Sequence, residues 1–233
     1  MKKTVLLFII LLCVSCNKSK PNLTITGSIK GLKKGTLYLQ QLKDTTMFIL
    51  DSLVYNGGDD YVLTTNLEEP EMLYLTLDKN AGNDIPRISF FAVSGIMTIN
   101  TTLKRFEYDA KITGSTLQIK LEEFKNVVSK FNDQNLELIK AKFDAQKSGD
   151  TAIIEKNKQD SDNLLKRKYL YAINFALNNK NSVIAPYIAL SEIYNANVTY
   201  LDTIYNALPN DIASSKYGMQ LNAFIKERKN TEE

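Results

Sequence analysis

Between residues 23 and 113, apolar side chains recur with a period of two. Leu23, Ile25 and Ile29 alternate with Thr24, Thr26 and Ser28, the pattern of a strand with one buried face. After the turn residues of 31–35, Leu37 and Leu39 alternate in the same way with Tyr38 and Gln40. The same reading predicts strands over residues 36–42, 47–55, 61–65, 72–77, 88–93, 96–102 and 108–113. Asn56-Gly57-Gly58 predicts a hairpin between the third and fourth strands, because positive φ costs little at these residues. Ser94-Gly95 predicts a tight turn. About eight short strands at this spacing imply an antiparallel β-sandwich or partly open barrel over residues 23–114.

At Gly114-Ser115 the period becomes helical. Ser115 followed by Gln118 predicts a capping box, and Leu117, Leu121, Phe124, Val128 and Phe131 then recur at three- and four-residue spacing. Asp150 predicts the N-cap of a second long helix carrying Ile154, Leu164, Leu165, Tyr169 and Ile173, and the two form an expected antiparallel hairpin. Three shorter helices follow. One is capped by Ser182 with Pro186 in its first turn, one starts at Thr199 and is stopped by Pro209, and one begins at Ser214 or Ser215. Residues 115–229 are thus an expected α-helical region, residues 230–233 a frayed polar tail, and the fold class α+β.

The first residues carry a third pattern. Lys2 and Lys3 precede an apolar run over 5–12, and small residues close it ahead of Cys16. The run is too short to span a bilayer, which takes about 20 helical residues. It predicts a secretory signal over residues 1–15. Cys16, directly after Val14-Ser15, resembles the lipidation site of a bacterial lipoprotein signal, which implies cleavage before Cys16 and lipid attachment to it. Residues 16–22 then read as a lipidated tether. The tether lacks the acidic run that resembles surface-export signals of Bacteroidetes-type bacteria. The expected localisation is therefore the cell envelope, lipid-anchored to a bacterial membrane and facing the periplasm.

Composition narrows the chemistry. The chain has no histidine and two cysteines, of which Cys13 leaves with the signal and Cys16 becomes a thioether. Ser-His-Asp, Cys-His, zinc and redox Cys-x-x-Cys sites are excluded by that inventory. The net charge of +3 includes Lys2 and Lys3; without them 27 basic side chains face 26 acidic ones. Such a balance gives no case for nucleic acid.

Several fragments lie in the order of a known bacterial module. They are Gly27-Ser28-Ile29-Lys30-Gly31, Tyr38-Leu39, Asp51-Ser52 with Val54, Asn56-Gly57, Pro70, and Phe90-Phe91 through Gly95 to Ile99. Ile112-Thr113-Gly114-Ser115 with Gln118, and Asn181 to Tyr187, continue the series. Together they resemble the domain-of-unknown-function family 4369, the N-terminal module of Bacteroidetes lipoproteins related to thiol-disulfide oxidoreductases. The relatives continue past a helix like residues 215–229 into a thioredoxin-like domain. This sequence ends at Glu233, so the expectation is the module without that domain and without redox chemistry of its own. The resemblance implies a protein partner, a thioredoxin-like oxidoreductase met in trans. Asp51-Ser52 and the glycines read as turn and bulge positions.

Three constellations remain. Asp59-Asp60, Glu68-Glu69 and Glu122-Glu123 are adjacent carboxylates, but neighbours on one element point apart and cannot flank one bond, so solvated turns and faces are expected. Asp78, Asn80, Asn83 and Asp84 offer oxygen ligands without the spacing of an EF-hand, and a polar loop is favoured. Tyr38, Tyr55, Tyr61 and Tyr74 form a candidate binding face for sugar or peptide, with cross-strand packing as the competing reading. No catalytic residue, cofactor or metal ligand is assigned. The expected role is a non-catalytic binding or scaffold module. A carboxylate-dependent hydrolase of envelope glycans and a structural or oligomerising envelope protein stand as the alternatives.

Overall fold

In the computed structural model, which describes residues 20–58, 60–79 and 85–232, the alternation along the chain becomes two facing sheets. Among the described residues eight strands precede six helices. The first sheet has the order β4 (Asp60–Thr65), β1 (Leu23–Lys30), β7 (Gly95–Thr102), β8 (Lys111–Thr113). The second has the order β3 (Thr46–Tyr55), β2 (Gly35–Lys43), β5 (Glu71–Asp78), β6 (Arg87–Ala92). Leu23, Ile25, Met97 and Ile99 of the first sheet meet Leu37, Leu39, Leu75 and Phe90 of the second in one buried cluster. This is the sandwich that a period of two demands when one face of each sheet is apolar.

The connections differ from the pattern-based expectation in two ways. Asn56-Gly57-Gly58 is a turn, with Gly57 at φ 94°, but it carries the chain from one sheet to the other and β3 does not pair with β4. Asp51 links these two strands instead, its carboxylate accepting from the Thr64 amide at 2.7 Å. Ser94-Gly95 likewise crosses between the sheets. As a result β1 and β7 lie parallel, while every other pairing among the described residues is antiparallel. In that pair a Cβ on Gly27 would stand 1.9 Å from the Ile99 carbonyl oxygen, so only glycine lets the backbones approach so closely.

The last strand is shorter than the alternation implies. Thr101 and Thr102 turn their hydroxyls onto the Phe106 carbonyl (2.6 Å) and the Asp109 carboxylate (2.7 Å), which holds residues 103–109 in turns and leaves only Lys111–Thr113 in β8. The β2–β3 register shifts between Leu39, which pairs with Asp51, and Gln40, which pairs with Ile49, so Leu50 of β3 is the extra residue of a bulge next to Asp51.

The helices are α1 (Thr116–Ser148), α2 (Thr151–Asn178), α3 (Ile184–Glu192), α4 (Val198–Asn206), α5 (Asn210–Ala213) and α6 (Lys216–Glu232). Ser115 caps α1 by accepting from the Gln118 amide at 3.0 Å, and Asp150 caps α2 by accepting from Ile153 at 3.0 Å. The capping box is only half formed. Gln118 does not reach back to Ser115; its side-chain oxygen accepts from the Phe91 amide of β6 at 2.8 Å, tying α1 to the edge of the second sheet. Asn197, rather than Thr199, caps α4. The polar tail expected to fray is helical to Glu232, with Glu233 outside the described residues.

The tether also ends earlier than its polar composition suggests. Asn22 clamps the sandwich: its side chain donates to the Leu67 carbonyl at 2.7 Å and accepts from the Leu67 amide at 2.8 Å. Its carbonyl accepts from Gly95 at 2.7 Å. The signal, Cys16, Asp59 and the 80–84 loop of the calcium reading lie outside the described residues.

Candidate functional site

The four tyrosines do not share one face. Tyr61 and Tyr55 belong to the sandwich interior, Tyr61 donating to the Ile99 carbonyl at 2.8 Å and Tyr55 to the Gly58 carbonyl. Burial pushes the Tyr61 hydroxyl far above its usual range. Tyr38 and Tyr74 stand half-buried on the outer side of the second sheet, with the Arg87 guanidinium 5.6 Å from the Tyr74 ring. Alternation explains the split: Tyr38 and Tyr74 are out of phase with the inward leucines of their strands, whereas Tyr61 is in phase with inward Leu63.

A cleft of about 610 Å³ opens where the sandwich meets α6. Gln41, Lys43 and Leu50 of the β2–β3 hairpin form one wall, Asn66, Glu68 and Glu69 of the β4–β5 link another, and Lys216 and Met219 of α6 the third. Glu71 lies at its base, 6% exposed. One Glu71 oxygen accepts from the Gln41 amide at 2.5 Å, and the other is paired with the Lys216 ammonium. Glu69 accepts from the Lys216 backbone amide at 2.8 Å, which places a carboxylate at the positive end of α6. Both oxygens of Glu71 are therefore engaged, and Glu69 serves a helix terminus. Glu68 is left exposed.

This arrangement recasts the adjacent carboxylates. Glu68 and Glu69 do line one cleft, but together with Glu71 they come from a single stretch of chain, and two of the three hold α6 in place. Glu122 accepts from the Gln118 side chain at 2.8 Å, and Asp60 sits in β4 opposite Ser28. Among the described residues no group of three His, Cys, Asp or Glu side chains could hold a metal ion. Nor is any helix among them long and apolar enough to cross a membrane.

Beside the cleft the two halves interlock. Phe91 packs edge-on to Tyr187 with centroids 5.2 Å apart and lies 5.9 Å from Tyr217, and the Met72 amide donates to the Tyr217 oxygen at 2.9 Å. Burial, with the nearby Tyr74 and Glu192 charges, pushes the Tyr187 hydroxyl up to about 12. Burial also raises Tyr217 beyond its usual range. No sequence spacing announces the Glu71–Lys216 pair, whose members lie 145 residues apart.

Residues 23–121 match the family described as Domain of unknown function (DUF4369). That segment is a DUF4369 domain. Its span takes in the sandwich and the first turns of α1, so the DUF4369 domain includes Gln118 and Leu121, through which the helix docks on β6. The search of curated proteins returned no match, and neither did the search of solved structures.

Proposed function

We propose that this protein is a lipid-anchored, periplasm-facing envelope module that binds or scaffolds a protein partner without catalysis of its own. The observation that carries this reading is the state of the cleft beside α6: Glu71 at its base is neutralised by Lys216 and hydrogen-bonded by Gln41, and Glu69 accepts from the Lys216 amide. The two less exposed acids thus hold the helix in place, and only solvent-facing Glu68 is left on the lining, with no second free carboxylate opposite it among the described residues for paired acid–base work. The absence of histidine from the sequence supports it. Following the resemblance of the DUF4369 module, the partner is an envelope thioredoxin-like oxidoreductase acting in trans. A soluble form beginning at Asn17 should give the buffer rate in insulin reduction and should alter the rate of an added thioredoxin-like enzyme. Turnover by the protein alone would overturn the reading. Fatty-acid labelling should mark the wild type and not Cys16→Ser.

A second reading, an oligomerising envelope protein, draws on the far half of the α1–α2 hairpin. Leu136, Ile139 and Phe143 form an exposed stripe at three- and four-residue spacing, with Leu136 63% exposed. Sedimentation separates the two: a dimer that Phe143→Glu dissolves favours assembly, and a monomer favours the scaffold.

A further inference from the structure

Asn22 and the β2–β3 hairpin, whose polar turn Lys43-Asp44-Thr45-Thr46 is flanked by Leu42, Met47, Phe48 and Ile49, share one end of the sandwich. Asn22, the first clamped residue, hydrogen-bonds Asn66 and Leu67, and Asn66 lines the same cleft as Gln41 and Lys43 of the β2–β3 hairpin. Cys16 precedes Asn22 by six residues, a length of chain that reaches at most about 20 Å. If Cys16 carries lipid, this end of the sandwich therefore faces the bilayer at close range.

At that end the hairpin is apolar on both sides of its pleat. Leu42 pairs with Met47 on one side, joined by Ile49, and Phe48 stands on the other, opposite Gln41. Leu42, Phe48 and Ile49 are 42, 49 and 57% exposed. Lys43 lies 5.9 Å from the Phe48 ring, so an ammonium and an aromatic sit side by side, as suits a bilayer interface where one group reaches headgroups and the other enters the acyl boundary. An ordinary hairpin keeps one face polar when the other is packed.

We propose that the β2–β3 hairpin end is a membrane-inserting element that seats in the outer part of the lipid bilayer and fixes the orientation of the anchored domain. The acyl chains supply attachment, and the hairpin turns a loose tether into a defined posture. Glu68 and Glu69 face the same end, so the contact is driven by apolar insertion rather than by attraction to anionic lipid, and it tolerates salt. The inference rests on the lipid-anchor reading of Cys16.

The chain has no tryptophan, so Phe48→Trp creates a single reporter, with Ile49→Trp as a second in case the first misfolds. Val54→Trp is the control, six residues along the same strand and about 20 Å away. Each soluble protein, beginning at Asn17 behind a histidine tag, is held on phosphatidylethanolamine/phosphatidylglycerol vesicles containing nickel-chelating lipid and brominated acyl chains. Insertion about 5–10 Å into the headgroup and acyl boundary brings the indole near the bromines. The expected result is quenching severalfold stronger at position 48 or 49 than at 54, unchanged in high salt. Equal quenching at the two ends, or none at the hairpin, overturns the inference. So does a blue shift of Phe48→Trp that appears without vesicles as a dimer forms, since a second copy then covers the hairpin. Fatty-acid labelling of Cys16 is scored separately: a labelled protein with an unquenched hairpin sinks only the insertion, whereas an unlabelled Cys16 sinks the anchor and the inference with it.

Discussion

In the sandwich, the buried cluster around Leu39, Leu75 and Phe90 draws on sandwich residues alone, whereas the helical cluster takes Met72 and Phe91 from β5 and β6. The dependence runs one way. A sheet has two faces, and the inner face of the second sheet closes the sandwich while the outer face of its β5–β6 side supplies the floor on which α1, α3 and α6 assemble. The helices also lean on sandwich groups for polar partners: Gln118 meets the Phe91 amide, Tyr217 the Met72 amide, and Lys216 both Glu69 and Glu71. The long hairpin repeats the contrast within the helical half. Its base, with Phe124, Ala172 and Ala176, is buried, and its distal stretch exposes Leu136, Ile139 and Phe143.

The sharpest test of this asymmetry is Phe91→Ala. Deleting a fully buried aromatic costs about 3–5 kcal/mol, and here the loss falls on the junction. Helical circular dichroism should therefore fall at lower urea than the strand signal. Coincident transitions would mean that the halves are one cooperative unit.

Alkali provides the next test. Tyr187 ionises near pH 10 in the unfolded chain and at about 12 in the folded one. The fold thus favours the neutral phenol. That contribution is fully present below pH 10 and is lost as pH rises toward 12, amounting to roughly 2–3 kcal/mol. Thermal melts between pH 9 and 12 should show the decline, and Tyr187→Phe should flatten part of it. A decline unchanged in Tyr187→Phe would assign it elsewhere.

Lys216→Met leaves the buried Glu71 carboxylate with Gln41 alone and should cost about 1–3 kcal/mol. Glu71→Gln combined with Lys216→Met should recover part of the loss, because no unpaired charge then stays buried. A double variant no more stable than Lys216→Met would show that the pair is not the junction's electrostatic link. At the distal hairpin, Leu136→Glu should change stability by no more than about 0.5 kcal/mol in a monomer, as for surface sites generally. A larger loss would place that stripe in a contact of its own.

Local periodicity by itself determined the eight strands, the change to helix at Ser115, and the caps at Ser115 and Asp150. These features depend on side chains a few residues apart, which alternate across a strand or stack along a helix. Tertiary structure alone decided the rest. Asn56-Gly57-Gly58 specifies a turn, yet a turn does not say which sheet receives the next strand. Here β4 takes its place beside β1, and the crossover at Ser94-Gly95 sets β7 parallel to β1 on the other side. Gln118 could cap its own helix or reach a sheet edge, and the unpaired Phe91 amide took it. Asn22 looks like part of a polar linker until Leu67, 45 residues away, meets its side chain. Tyr38 and Tyr61 both sit in alternating strands, and only the phase of each strand against the core separates the outer ring from the buried one. The cleft itself joins Glu71 to Lys216 across 145 residues, a distance over which sequence carries no signal, because packing and not chain proximity brings the charges together.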